Sequence, residues 1–185
     1  MKLDIDKQLF LLEQAGKICF WDIEASGLDS DYNSIFVVSI KPYKQKIKTF
    51  AITNPGDDKK LCQDVSKELS NYFTWVTFYG KGYDFPMIQG RLLDWKLPKL
   101  DKQPHLDLYF TLKSKVLTAR RSMAHYSEWL DLEKKKFSLS PKVWNEVMRS
   151  PKTGIPKLVQ RCEADVEELE DLYDAVKHLV EEITR

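Results

Sequence analysis

The sequence predicts an α/β layered domain built on a mixed five-stranded sheet. Three observations carry this: three strand-like apolar runs near the start, an alternation of helix-period and strand-like segments after them, and a long amphipathic helix toward the end. The first run, Ile18-Cys19-Phe20-Trp21, leads into Asp22-Ile23-Glu24. Ser34 to Ile40 and Ile47 to Ile52 read as further strands, and the short turn around Pro42-Tyr43 makes them an antiparallel hairpin, so the sheet opens with a three-strand meander forming one side. Asn54-Pro55-Gly56-Asp57 is a break, after which Lys59 to Tyr72, with Leu61, Val65 and Leu69 four apart, predicts a helix packed on the sheet. Trp75 to Tyr79 predicts a short strand ending at Gly80-Lys81-Gly82, and Phe85 to Trp95 resumes a helical period. Pro98 and Pro104 bracket a loop, and His105 to Leu108 supplies a fifth strand. The rest reads as helical, with breaks at Pro141, Pro151 and Pro156. Strand order across the sheet does not follow from this pattern.

A length of 185 residues, 43% of them apolar, suffices for one domain spanning the chain with a substantial core. The first residues alternate charged and apolar side chains, and no apolar run approaches the roughly 18 residues of a membrane span, so the expectation is a cytoplasmic protein with neither leader nor anchor. Cys19, Cys62 and Cys162 are odd in number, far apart and set among apolar neighbours, which suits buried reduced thiols rather than a disulfide framework or a zinc knuckle. A net charge of +1 generates no global field toward polyanions, so any nucleic acid has to be held locally. Basic residues cluster at Lys41 to Lys48, at Lys113 to Arg121 and at Lys134 to Lys136; each cluster by itself reads as a solvated face.

Asp22 and Glu24 stand where the first apolar run ends. In a strand, alternation puts Ile18, Phe20, Asp22 and Glu24 on one face and Cys19, Trp21 and Ile23 on the other, so both acids point the same way. Two close carboxylates in such a place call for a cation, and hard divalent ions take oxygen ligands. The spacing alone is unspecific, because Asp131 and Glu133 repeat it in what reads as an exposed helix end, and an ordinary acidic turn is the plainer alternative. Asp84 follows the short strand and the two-glycine turn, where glycine lets the backbone turn or approach a ligand; capping the helix near Pro86 is the competing role. Asp165 carries the strongest physical argument. From Pro156 to Ile183 an apolar stripe runs through Leu158, Cys162, Val166, Leu169, Leu172, Tyr173, Val176 and Val180. At about 100° per residue Asp165 falls inside it, whereas Glu163, Glu167, Glu170, Asp171 and Asp174 fall outside. An ion pair with Arg161 four residues earlier is the alternative, but it does not explain why this acid faces inward.

Together these segments resemble the DEDD, or DnaQ-like, exonucleases of the ribonuclease H-like fold. Asp22-Ile23-Glu24-Ala25-Ser26-Gly27-Leu28 is similar to the first motif, Tyr79-Gly80-Lys81-Gly82-Tyr83-Asp84-Phe85-Pro86 to the second, and Cys162-Glu163-Ala164-Asp165-Val166 to the third. The second motif is most similar to a less characterised branch of predicted ribonuclease H-like exonucleases, in which asparagine often stands where this chain has Tyr79; His105-Leu106-Asp107-Leu108 also resembles a segment of that branch. The family usually places a tyrosine four residues, or a histidine five, before the last aspartate. Here Arg161 and Gln160 occupy those positions, so the usual general base is missing, and Arg161 is suited to holding a phosphate instead.

The resemblance implies a ribonuclease H-like fold and metal-dependent 3′-5′ hydrolysis of phosphodiester bonds in single-stranded DNA or RNA. Asp22, Glu24, Asp84 and Asp165 would hold two Mg²⁺ or Mn²⁺ ions about 4 Å apart. Tyr83, Phe85 and Tyr109 are candidates for stacking terminal bases, against the plainer reading of core aromatics, and His105 or His125 for a displaced base. Two alternatives stay open: a nucleic-acid-binding or interaction module that kept the fold without turnover, and an endonuclease on the same fold. Sugar preference, pathway and oligomeric state do not follow from the sequence.

Overall fold

The computed structural model describes residues 4–133, 139–140 and 142–181. In chain order the elements are α1 (Ile5–Gln14), β1 (Ile18–Ala25), β2 (Ile35–Pro42), β3 (Lys48–Ala51), α2 (Lys59–Leu69), β4 (Thr74–Thr77), α3 (Asp84–Asp94), β5 (His105–Asp107), α4 (Leu108–Lys115), α5 (Met123–Trp129), α6 (Lys142–Arg149) and α7 (Pro151–Val176), with a 3₁₀ turn at Lys177–Leu179. The lysines at 134–136, Pro141 and Ile183 lie outside the described residues.

Five strands form a mixed sheet in the order β3-β2-β1-β4-β5. The β1–β2–β3 meander is antiparallel, and β4 and β5 continue parallel to β1 on its other side. The meander therefore forms one side of the sheet, as the sequence predicts. Alternation along β1 sorts its residues as expected: Cys19, Trp21 and Ile23 join one apolar cluster with α2, α3, α6 and the first half of α7, while Ile18 and Phe20 join a second with α1, α4, α5 and the second half of α7. All eight residues of β2 are buried, as suits a strand covered on both faces. The three cysteines are free and buried, and no described helix is long and apolar enough to cross a membrane.

Three local expectations are corrected. The alternation at the start of the chain conceals α1, whose Leu9 is buried beneath α7 and whose Glu13 accepts from the Tyr173 hydroxyl at 2.8 Å; tertiary packing decides this helix. Pro156 does not break the last helix, which starts at Pro151 and carries Pro156 inside it. The cost of one lost backbone bond is met by close packing on α6, so close that a Cβ on Gly154 would meet the Val147 backbone at 2.7 Å. Glu170, placed outside the apolar stripe by periodicity, is buried, because Lys41 reaches its carboxylate at 2.9 Å and the Lys44 backbone N–H donates to it at 2.6 Å. Lys41 is thereby buried against α7 rather than solvated, while Lys44 stays exposed and reaches α7 through Asp174.

Candidate active site

β1, β4 and β5 run parallel, so their carboxyl ends open on the same side of the sheet, and β1 is where the chain's progression across the sheet switches direction. Ligand sites in such sheets form at this position. A cleft of 670 Å³ lies there. Asp22, Glu24, Asp84 and Asp165 all line it, with Tyr79, Tyr83, Leu28, Trp144 and Arg161 around them.

Strand geometry supplies the first two acids: Asp22 and Glu24 project from one face of β1, the second just before a bulge between Glu24 and Ala25. Helix α7 crosses that face and delivers Asp165 one turn after Arg161. One carboxylate oxygen from each of Asp22, Glu24 and Asp165 lies within 4.8 Å of the others. Asp84, the first residue of α3, is buried and accepts the Ile23 backbone N–H at 3.1 Å, which locks the helix start to the middle of the acidic strand. The cap alternative for Asp84 is not what the structure shows, since its carboxylate turns to β1.

The charges are mutually unfavourable. Burial, with Asp84, Asp165 and Glu24 close by, pushes the Asp22 carboxyl well above the usual carboxylate range, and Arg161 pulls back only part of it. Burial likewise raises Asp84, against two backbone N–H donors that favour its charged form. Glu24 is pushed up to about 7 by burial, despite the Arg161 guanidinium and a hydrogen bond from Trp144. Arg161 Nε donates to Glu24 Oε1 at 2.6 Å and lies 3.5 Å from Asp165 Oδ2, its guanidinium carbon 5.7 Å from the centre of the Trp144 ring. A set of hard oxygen donors held this close, in excess of the local positive charge, fits a divalent cation.

The walls depend on a loop between β4 and α3. Tyr79 has a φ of 67°, the left-handed region that bulky residues rarely enter and asparagine tolerates better. Its strain is held by Asp107, whose carboxylate accepts the backbone N–H groups of Tyr79 at 2.8 Å and Lys81 at 2.9 Å while capping α4 through Tyr109. The left-handed residue is thus Tyr79 rather than either neighbouring glycine. Gly82 instead makes room, since a Cβ there would meet the Tyr79 ring at 2.6 Å.

The predicted site residues separate. Tyr83 lines the cleft, its hydroxyl donating to the Gly27 carbonyl at 2.8 Å and tying α3 to the loop after β1. Tyr109 stands behind Tyr79 at 5.0 Å between ring centres and outside the cleft lining. Phe85 packs toward Trp75 in the core at 5.9 Å and also stays out of the cleft. Neither histidine candidate reaches the acids: among the described residues no histidine lines the cleft. His105 is buried beside Thr77 at 2.8 Å and kept neutral, its pKa lowered to about 3 by burial, with Lys81 and Lys102 adding to the effect. Sequence reasoning missed Trp144 and the wall role of Tyr79. Nothing in the pattern of α6 marks Trp144 as other than a core residue, whereas the Asp107 segment was visible only as a resemblance.

Fold and acidic cleft together define an α/β domain of the ribonuclease H-like type. A family model described as the RNase_H superfamily matches residues 19–177, and the chain belongs to that superfamily. Among solved structures, the family B DNA polymerase from the hyperthermophilic archaeon Pyrobaculum calidifontis is similar, with a TM-score of 0.68 and 15% sequence identity over 86% of this chain. The match covers 24% of that polymerase, so this chain spans about a quarter of its length. No curated protein matches the sequence at a significant level.

Proposed function

We propose that this protein is a metal-dependent 3′-5′ exonuclease acting on single-stranded nucleic acid. The observation that carries the reading is the convergence of Asp22, Glu24 and Asp165 within 4.8 Å, with Asp84 fastened beside them through Ile23. Superfamily membership supports a nucleic-acid substrate. The four acids would hold two divalent cations, Mg²⁺ or Mn²⁺. When bound, such ions activate water toward the phosphorus and neutralise charge on the departing 3′ oxygen. The chain's own residues do the rest. Asp84 and Asp22 are oriented by β1 and α3, Arg161 stands at the cleft to receive a phosphate, and Tyr79 and Tyr83 offer ring faces and edges to unpaired bases. Hydrolysis forms a bond from water oxygen to phosphorus, breaks the bond from phosphorus to the 3′ oxygen, and returns a proton to that oxygen, releasing a nucleoside 5′-monophosphate.

One observation favours a second reading, a binding module without turnover. Tyr83 is the cleft phenol nearest the acids in sequence, and its hydroxyl is committed to Gly27 and pushed further from ionisation by burial, with Asp84, Glu24 and Asp22 adding to the effect, so no side-chain base stands ready there. Incubating 5′-labelled single-stranded DNA and RNA with Mn²⁺ separates the readings. A ladder shortening from the 3′ end with the natural chain, absent with Asp22→Ala, is the expected result. Internal fragments would make the protein an endonuclease, and Mn²⁺-dependent binding without any cleavage would favour the module.

A further inference from the structure

Arg161 engages two of the acids that would hold metal. Its Nε donates to Glu24 Oε1 at 2.6 Å and lies 3.5 Å from Asp165 Oδ2, and its guanidinium stacks toward Trp144, which itself hydrogen-bonds Glu24. A carboxylate oxygen bound this closely by a charged N–H has that lone pair directed away from any other cation. We infer that Arg161 is a tethered counter-cation that divalent metal displaces from Glu24 and Asp165, and that the freed guanidinium then grips the substrate phosphate; the inference rests on the hydrolytic reading above.

Position and charge agree with this exchange. The Arg161 side chain is 32% exposed, against 8% for Glu24 and 19% for Asp165, so the guanidinium is the partner with room to move. Trp144, on α6, offers an aromatic face that holds it near the cleft in the first position. Four carboxylates face one arginine in the cleft. With two divalent cations added, positive charge exceeds negative by one, and a phosphodiester monoanion restores the balance. A planar fork of N–H donors, permanently charged, suits that anion better than any other side chain lining the cleft.

The test uses the full chain and reads metal binding directly, by calorimetric titration of MnCl₂ without nucleic acid. Arg161→Gln is expected to bind Mn²⁺ about tenfold more tightly than the natural chain, because the ion no longer competes with the guanidinium. In saturating Mn²⁺ the same substitution is expected to weaken binding of adenosine 5′-monophosphate and deoxyadenosine 5′-monophosphate about tenfold, through loss of the phosphate partner. The opposite signs are the signature, since a merely structural arginine would lower both affinities. Trp144→Phe, which keeps the charge and removes the indole hydrogen bond, guards against a misfolded Arg161→Gln and is expected to tighten Mn²⁺ by about two- to threefold. If the natural chain binds Mn²⁺ and neither variant binds it more tightly, the exchange is overturned and the hydrolytic reading stands. If no form binds Mn²⁺, both fall.

Discussion

The backbone N–H of Ile23 donates to Oδ1 of Asp84 across 3.1 Å, joining residues sixty-one positions apart. Through this bond the strand bearing Asp22 and Glu24 sets where the third acid sits, because α3 cannot shift along β1 without losing it. The bond tolerates an amide oxygen, so Asp84→Asn separates charge from geometry. It is expected to raise the melting temperature of the metal-free protein, by removing a buried carboxyl beside Asp22, and to abolish or sharply reduce the stabilisation by Mn²⁺ that the proposed site implies. Differential scanning at pH 8 with and without MnCl₂ checks both, and an undiminished Mn²⁺ shift would exclude Asp84 from metal binding.

Glu24 makes the site sensitive to pH near neutrality. Its carboxyl is raised from 4.5 to about 7, so the stability its proton contributes is complete below about 4.5 and is lost as pH climbs through about 7. His105 acts in the opposite sense, being lowered from 6.5 to about 3, which favours the fold increasingly as pH rises between those values. The difference between the natural chain and Glu24→Gln isolates the glutamate. Without metal, the melting temperature of the natural chain is expected to fall relative to the variant between pH 5 and pH 8, and Mn²⁺ stabilisation of the natural chain to grow over the same interval. A pH-independent difference would contradict the environment described for Glu24.

Tyr79 combines left-handed strain with an exposed ring. Replacing it by asparagine relieves about 1–2 kcal/mol of backbone cost, and the loss of ring contacts to Tyr109 and Phe110 offsets this with a cost of about 0.5–1.5 kcal/mol for each pair. Tyr79→Asn is therefore expected to leave stability within about 1 kcal/mol while weakening single-strand binding by about 1–3 kcal/mol. Fluorescence anisotropy with a labelled oligonucleotide, beside urea denaturation, reads the two separately. Unchanged binding would remove Tyr79 from the substrate path.

Arg91 and Asp58 supply the rigid frame behind the cleft. Asp58 is wholly buried and accepts from Arg91 Nε and Nη2, both at 2.9 Å, from the Ile35 backbone N–H at 2.9 Å and from Trp95 at 2.6 Å. The same arginine reaches the Ser30 carbonyl at 3.0 Å and so fixes the loop that follows β1. Arg91→Met leaves a buried carboxylate without its cation and is expected to cost about 3–5 kcal/mol, seen as a fall of about 6–20 °C in melting temperature. A fall under about 3 °C would show that the pair is dispensable to the fold.

Periodicity carried much of the architecture because burial on a two-sided sheet imposes it. Asp165 was legible for the same reason: an acid inside an apolar stripe stands out against the 3.6-residue period. The same reasoning failed at Glu170, where the helical wheel says nothing of Lys41 arriving from β2. At Phe85 and Tyr109 it left cleft and core as alternatives, because an aromatic next to a site motif reads alike whether its ring faces one or the other. The left-handed turn at Tyr79 was hidden behind two glycines that advertise flexibility more loudly.

By itself the chain's order of residues determined the three-strand opening, the later alternation of helices and strands, and three separate acidic segments, each from local physics of alternation, periodicity and turn chemistry. Only the tertiary structure decided that β1 lies between β2 and β4, that Asp22, Glu24 and Asp165 share one small volume, and that Arg161 fastens onto Glu24 from 137 residues away. Those outcomes depend on which side chains meet across the sheet and on the neutralisation of buried charge. Neither quantity belongs to any one segment of the chain.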